Sequence, residues 1–198
     1  GLTGTITLRN LLATSRNNLT VAGPGADLIT HDANNDPSDP QGEFRIFRVL
    51  GAVPLLTIKG LTLQNGYAAD SAGGAIYAAN DLVLDGVVVQ NSHADTSGGG
   101  VFVLEGNLTL IRSSFRGNTA SEWGGGFYAS KRATLTDSTI SGNASEFGGG
   151  GFFVGGNAGN AGSLTNSTVS GNSSGSGGGG FYSSMDITLT NCTVSDNS

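Results

Sequence analysis

A chain of 198 residues is long enough for one domain with a sizeable core, but 12% charged residues and a formal net charge of -6 leave it without the basic surface that nucleic acid or an anionic membrane would need. Its 34 glycines cluster in front of aromatic residues, which speaks for structured turns and against disorder. No apolar run approaches the roughly 20 residues of a membrane span, so no insertion into a bilayer is expected of this segment, and one cysteine excludes an internal disulfide.

Residues 1–54 read as irregular first coils. Thr5–Leu8 (TITL), Leu19–Val21 (LTV) and Asp27–Thr30 (DLIT) are strand-like, and Ala22–Asp27 (AGPGAD) is a turn in which Pro and Gly end the pairing. The acidic, proline-containing loop 31–43 follows. Asp32, Asn34, Asp36 and Glu43 take the first, third, fifth and twelfth places of an oxygen-rich calcium loop, while Pro37 stands where such a loop turns on Gly. An ordinary solvated loop is expected there, with a structural calcium ion as the alternative and no other cofactor. Phe44–Val49 (FRIFRV) then reads as a half-exposed strand with Arg45 and Arg48 outward.

Regular coils are expected over 55–198. One phrase returns five times, as GGAIY, GGGVF, GGGFY, GGGGFF and GGGGFY, and its first large apolar residues are Ile76, Val101, Phe127, Phe152 and Phe181, at steps of 25, 26, 25 and 29. Two further columns keep the same beat: Ile58, Leu84, Leu110, Leu135, Leu164, Leu189, and Leu63, Val89, Phe115, Ile140, Val169, Val194. A period of this length belongs to a solenoid. Three short apolar strands per coil of about 25 residues, bounded by Gly, Asn, Ser and Asp, predict an all-β parallel β-helix in one domain over 1–198. The 29-residue step comes from extra residues in 155–162, which are expected to loop outward.

Around the Leu column, strand alternation turns Thr57, Val83, Thr109, Thr134, Ser163 and Thr188 to solvent, with Lys59, Asp85, Ile111, Thr136, Thr165 and Thr190 beside them. The hydroxyl array of the last three coils is interrupted in the first three, so these threonines are read as good strand formers and not as an ice-binding face. Stacked columns pair Lys59 with Asp85 and Arg112 with Asp137 as surface ion pairs. Asn118, Asn143, Asn172 and Asn197 end successive third strands, with Asn65 and Asn91 one place earlier; stacked asparagines can bond along the axis and tolerate left-handed backbone. Cys192 shares a column with Ser113, Ser138 and Ser167 and is read as a small packed residue at a turn. His31 and His93 fall in no repeated column, which gives nucleophilic catalysis little support.

Candidate binding residues come from the column that follows the core. Tyr77, Phe102, Tyr128, Phe153 and Tyr182 are turned outward by alternation, with Trp123 beside them, and make an apolar stripe suited to sugars or to a neighbouring surface. The alternative is that bending at the glycines half-buries both aromatic columns.

GGAI (Gly73–Ile76) and FRGN (Phe115–Asn118) resemble the GGAI and FxxN repeats of polymorphic outer membrane proteins, and LTNSTVSGN (Leu164–Asn172) is similar to repeats of large secreted bacterial right-handed β-helix proteins of pectin-lyase-like fold. The resemblance implies a right-handed solenoid, secreted or at the cell surface, that acts as a structural or adhesive passenger without catalytic residues. It implies partners such as polysaccharide, a host or neighbouring surface, or further copies. An Arg flanked by carboxylates also resembles the site of pectate-lyase-type enzymes, which keeps polysaccharide binding or processing as the alternative. Strand-like residues at both ends make a piece of a longer protein the expectation.

Overall fold

A computed structural model describes residues 4–5, 11–13, 17–27, 29–32, 44–51, 53–156 and 162–198, with the backbone alone at 4–5, 11–13 and 29–32. The chain winds as a right-handed parallel β-helix of about six turns, near 26 residues per turn. One turn shows the plan: Asp81–Asp85 lies on the first face, Val88–Gln90 on the second, His93–Ala94 on the third and Val101–Val103 on the fourth. Each strand pairs in parallel with its counterparts one coil before and after, giving sheets of 7, 8, 5 and 7 described strands. The expected three strands per coil are present and a fourth, on the third face, is added. Its strands are two residues long, too short for alternation to reveal them.

The three core columns point inward up to the last coil, in which Leu189 is 44% and Val194 47% exposed. Ile58, Leu84, Leu110 and Leu135 on the first face, Leu63, Val89, Phe115 and Ile140 on the second, and Ile76, Val101, Phe127 and Phe152 on the fourth are all completely buried. Parallel pairing without slip aligns them, as Leu84 with Leu110 and Val101 with Phe127, so like stacks on like. Phe127 and Phe152 stack with centroids 4.8 Å apart and planes 4° from parallel.

The corners satisfy their polar groups along the axis. Between the second and third faces the Nδ2 of Asn118 donates to Oδ1 of Asn143 (2.9 Å), Asn143 to Asn172 (3.0 Å) and Asn172 to Asn197 (2.9 Å), and the first three are wholly buried. The same amides reach inner carbonyls, Asn118 that of Val89 and Asn143 that of Phe115. Asn65 and Asn91 take the left-handed backbone expected of corner asparagines, whereas in the later coils it falls one residue before the ladder, on Gly117, Gly142, Gly171 and Asp196, so the ladder asparagines keep ordinary φ. A serine ladder turns the corner between the first and second faces: Ser138 Oγ accepts from the Ser113 N–H and Ser167 Oγ from the Ser138 N–H. Cys192 continues that column, half-buried, its thiol donating to the Thr190 carbonyl.

Glycine is forced where the chain enters the fourth face. A Cβ on Gly125 would lie 2.2 Å from the Ala144 carbonyl oxygen and 2.4 Å from that of Gly150, closer than any real side chain sits.

The first turns join the same sheets through longer connections. Gly4–Thr5 and Ile29–Asp32 pair on the second face, Leu19–Ala22 joins the first, and Leu11–Ala13 and Phe47–Val49 join the fourth. Of the expected TITL strand, residues 6–8 lie outside the described residues; of DLIT, Asp27 is in a turn, Leu28 lies outside the described residues and Ile29 and Thr30 are in the strand. The insertion at 155–162 falls between Phe152–Val154 and Gly162–Thr165, with 157–161 outside the described residues. Arg48 is exposed as expected, but Arg45 is 1% exposed and corrects the outward assignment. The strand is only Phe47–Val49, so alternation does not extend to Arg45. Its Nε donates to the Gly73 carbonyl and its Nη2 to Ser71 Oγ and the Ala72 carbonyl, each at 2.9 Å, so the planar guanidinium fork ties the first glycine loop to the core.

Phe127→Ala is expected to destabilise the fold by about 3–5 kcal/mol in chemical denaturation, because the cavity lies in a stacked core column, and Tyr128→Ala by clearly less. Asn143→Ala should cost about 1–3 kcal/mol by leaving buried donors unmatched, whereas Asn166→Gly, at an exposed corner whose left-handed backbone (φ 51°) glycine keeps, should leave the midpoint nearly unchanged.

Candidate functional site

The fourth face carries the candidate aromatic column. Pairing in register places Tyr77, Phe102, Tyr128, Phe153 and Tyr182 one above another. Centroids are 5.5, 4.8, 4.8 and 5.7 Å apart and the planes lie within 18° of parallel. The spacing is that of the coils, about 4.8 Å, so the planes lie across the axis. Phe102, Tyr128 and Phe153 therefore spend both faces on their neighbours and offer solvent an edge, while Tyr77 and Tyr182 spend one face each. The first four rings are half-buried, and Tyr182 is 42% exposed. Burial raises the pKa of the Tyr128 hydroxyl. The column is thus both outward and half-buried, a ladder of stacked edges where sugar stacking requires open faces.

Trp123 breaks the pattern. It tilts against Phe153 (5.2 Å, 58°) and Tyr182 (5.5 Å, 55°) and meets Phe147 edge-on at 5.9 Å. Room for it comes from Gly148, whose Cβ would stand 2.9 Å from the indole. Phe147 remains 47% exposed. At the other end of the ladder the Arg45 guanidinium sits 5.6 Å from the Tyr77 ring centre.

The third face holds a cluster that alternation did not disclose. Tyr67, His93 and Thr119 are register partners. The rings of Tyr67 and His93 stack at 5.5 Å, one imidazole nitrogen lies 2.7 Å from Thr119 Oγ1, and the other lies 3.1 Å from Asp95 Oδ1. The Tyr67 hydroxyl and the Asp70 N–H also donate to Asp95. Burial opposes the Asp95 charge, yet the Asp70 N–H, the Tyr67 hydroxyl and His93 together hold its pKa below the ordinary aspartate value. The Tyr67 hydroxyl is raised by burial and by Asp95. A signal was present: Tyr67, His93 and Thr119 each stand four residues after the second core column. Without a strand on the third face that offset had no meaning, and His93 looked unrepeated. The chain Thr119–His93–Asp95 has the donor order of a nucleophile, a base and an orienting carboxylate. The N–H groups of Thr119 and Ser121, however, are bonded to the neighbouring coil, so neither of these two is a donor to an oxyanion.

On the first face Lys59 lies 4.0 Å from Asp85, as expected. Arg112 also pairs with Asp85 of the preceding coil and not with Asp137, although Arg112 and Asp137 share the left-handed corner (φ 47° and 51°); Asp137 accepts instead from Asn166. A shallow groove of about 340 Å³ crosses this face beneath Asp81, Asn107, Thr109, Arg132 and Thr134. In it Asp81 accepts from both the N–H and the side chain of Asn107.

Of the calcium-type residues, Asp32 ends the strand Ile29–Asp32, and Asn34, Asp36 and Glu43 lie outside the described residues. Among the described residues no three His, Cys, Asp or Glu side chains are grouped to hold a metal, and no helix is long and apolar enough to cross a membrane.

The folded-state pKa of Asp95 is depressed, so its contribution to stability is present above the ordinary aspartate range near ~4 and is lost as pH falls through the lower folded value. Thermal melts from neutral to strongly acidic pH should show a wild-type loss below that range that is smaller in Asp95→Asn.

Comparison with known proteins gives the same architecture. The model of the right handed beta helix region matches residues 51–198, while no curated protein and no solved structure matches the chain. With three quarters of its length under that model and its coils stacked in four parallel sheets, the chain belongs to the right-handed β-helix family.

Proposed function

We propose that this protein is a non-catalytic structural or adhesive β-solenoid, working outside the cell or on its surface, whose repeated faces mediate binding or assembly. The observation that carries this function is the use made of the repeated residues. The aromatic column, the most regular candidate for a ligand, has its ring faces closed by one another from Tyr77 to Tyr182. The asparagine and serine columns are likewise turned into axial ladders inside the corners. Repetition here builds a stiff rod with long, regular outer faces, the form a stalk or an adhesive surface requires. Placement outside the cell rests on the resemblance of the GGAI, FRGN and LTNSTVSGN phrases to secreted and surface β-helix proteins.

One observation favours the polysaccharide alternative. The first-face groove brings Arg132, Asp81, Thr109 and Thr134 together with Leu55 and Val83 in one trough of mixed polarity, a surface able to hydrogen-bond sugar hydroxyls.

Affinity electrophoresis through neutral and acidic polysaccharides with calcium present, with recovery of each polymer afterwards, separates the two. The structural solenoid is expected to migrate unchanged and leave every polymer intact. Retardation abolished by Arg132→Ala would place sugar binding in the groove, and breakdown of a polymer would establish a carbohydrate-processing enzyme.

A further inference from the structure

Two ridges border the aromatic face at the same height, because the strand Phe127–Ala129 joins them. Where the chain enters the face, the loops carry Glu122–Trp123 and, one coil on, Glu146–Phe147. Phe147 is 47% exposed and packs edge-on against Trp123. No Lys or Arg occurs in the entering loops 69–75, 95–100, 121–126, 146–151 or 175–180. Glu122 accepts from Ser97 and Glu146 is exposed, so neither charge is neutralised by a neighbouring cation. Where the chain leaves the face the character reverses. Leu104 is 39% exposed, Lys131 and Arg132 are exposed in the next coil, and among the described residues neither cation is in an ion pair; Glu105 and, across the first-face groove, Asp81 are the acids near them.

We propose that the occupant of the Glu122–Trp123–Glu146–Phe147 ridge is a second copy of this chain, docked side by side through its Leu104–Lys131–Arg132 ridge. The two surfaces are complementary in charge, and each bears exposed apolar area that a monomer leaves in water. A guanidinium or ammonium can bond a carboxylate and lie over an indole or phenyl face in one contact, and Trp123 and Phe147, unlike the inner ladder rings Phe102, Tyr128 and Phe153, are not closed on both faces by parallel neighbours. Because the ridges differ, the contact is heterologous: each added copy leaves one ridge of each kind open, and the rods extend into a row with their aromatic faces aligned. This contact rests on the assembly function proposed above and supplies its partner.

Sedimentation velocity over a concentration series, at low and high salt, tests it. The wild-type chain is expected to associate as concentration rises, and less so in high salt. Glu122→Lys/Glu146→Lys and Lys131→Glu/Arg132→Glu should each remain monomeric, and their equimolar mixture should associate again through the one native and the one exchanged pair of ridges. Wild-type protein that stays monomeric throughout, or variants that associate as the parent does, overturns the contact. Circular dichroism melts verify that both variants fold. Should a Lys variant melt early, Glu122→Gln/Glu146→Gln replaces it and must lose the salt dependence. A chain that stays monomeric yet is retained on cells or polymers sinks this contact and leaves the adhesive function standing.

Discussion

The main-chain hydrogen bond from one coil to the next governs everything else in this molecule. Each strand's N–H and C=O groups find partners one coil away, so coils differ in length only in the bends between strands, while a residue gained or lost inside a strand would shift its ladder. That constraint turns a repeat of about 25 residues into a set of straight columns, and a column places chemically identical residues within contact distance of each other. Phenylalanine stacks on phenylalanine, asparagine bonds asparagine, and glycine lies on glycine.

The corners show why those residue types recur. A chain that turns four times per coil leaves polar groups at each bend, facing inward where water is absent. Asn118, Asn143 and Asn172 answer this with an amide long enough to reach both the next coil and an inner carbonyl. Ser113 and Ser138 do the same at a tighter corner with a shorter side chain. Buried polar ladders of this kind also specify register, since a slip by one residue would leave several donors and acceptors unmatched together.

The same columns constrain function. A ladder of rings spaced by the coil repeat consumes the faces that a sugar would need, so regularity and ligand stacking compete for one surface. Features able to engage a partner lie where regularity fails: the Trp123 tilt over Gly148, the single-coil basic ridge at Lys131 and Arg132, and the Tyr67–His93–Asp95–Thr119 cluster on the third face.

The sequence by itself determined the solenoid, its period and the inward residues of three faces, because apolar columns at a constant step survive any uncertainty about the bends between them. Ile58 through Leu164, Leu63 through Val169 and Ile76 through Phe152 needed no tertiary information. Only the tertiary structure decided the third face, the burial of Arg45 and the pairing of Arg112 with Asp85 in place of Asp137. A two-residue strand has no period to detect, a guanidinium's direction depends on which carbonyls a loop presents, and an ion pair at a corner depends on which neighbouring coil brings a carboxylate within reach. The aromatic column fell between the two. Its membership was legible from spacing, but whether its rings offered faces or edges was set by the tilt of their planes to the axis, which only stacking at the coil repeat decides.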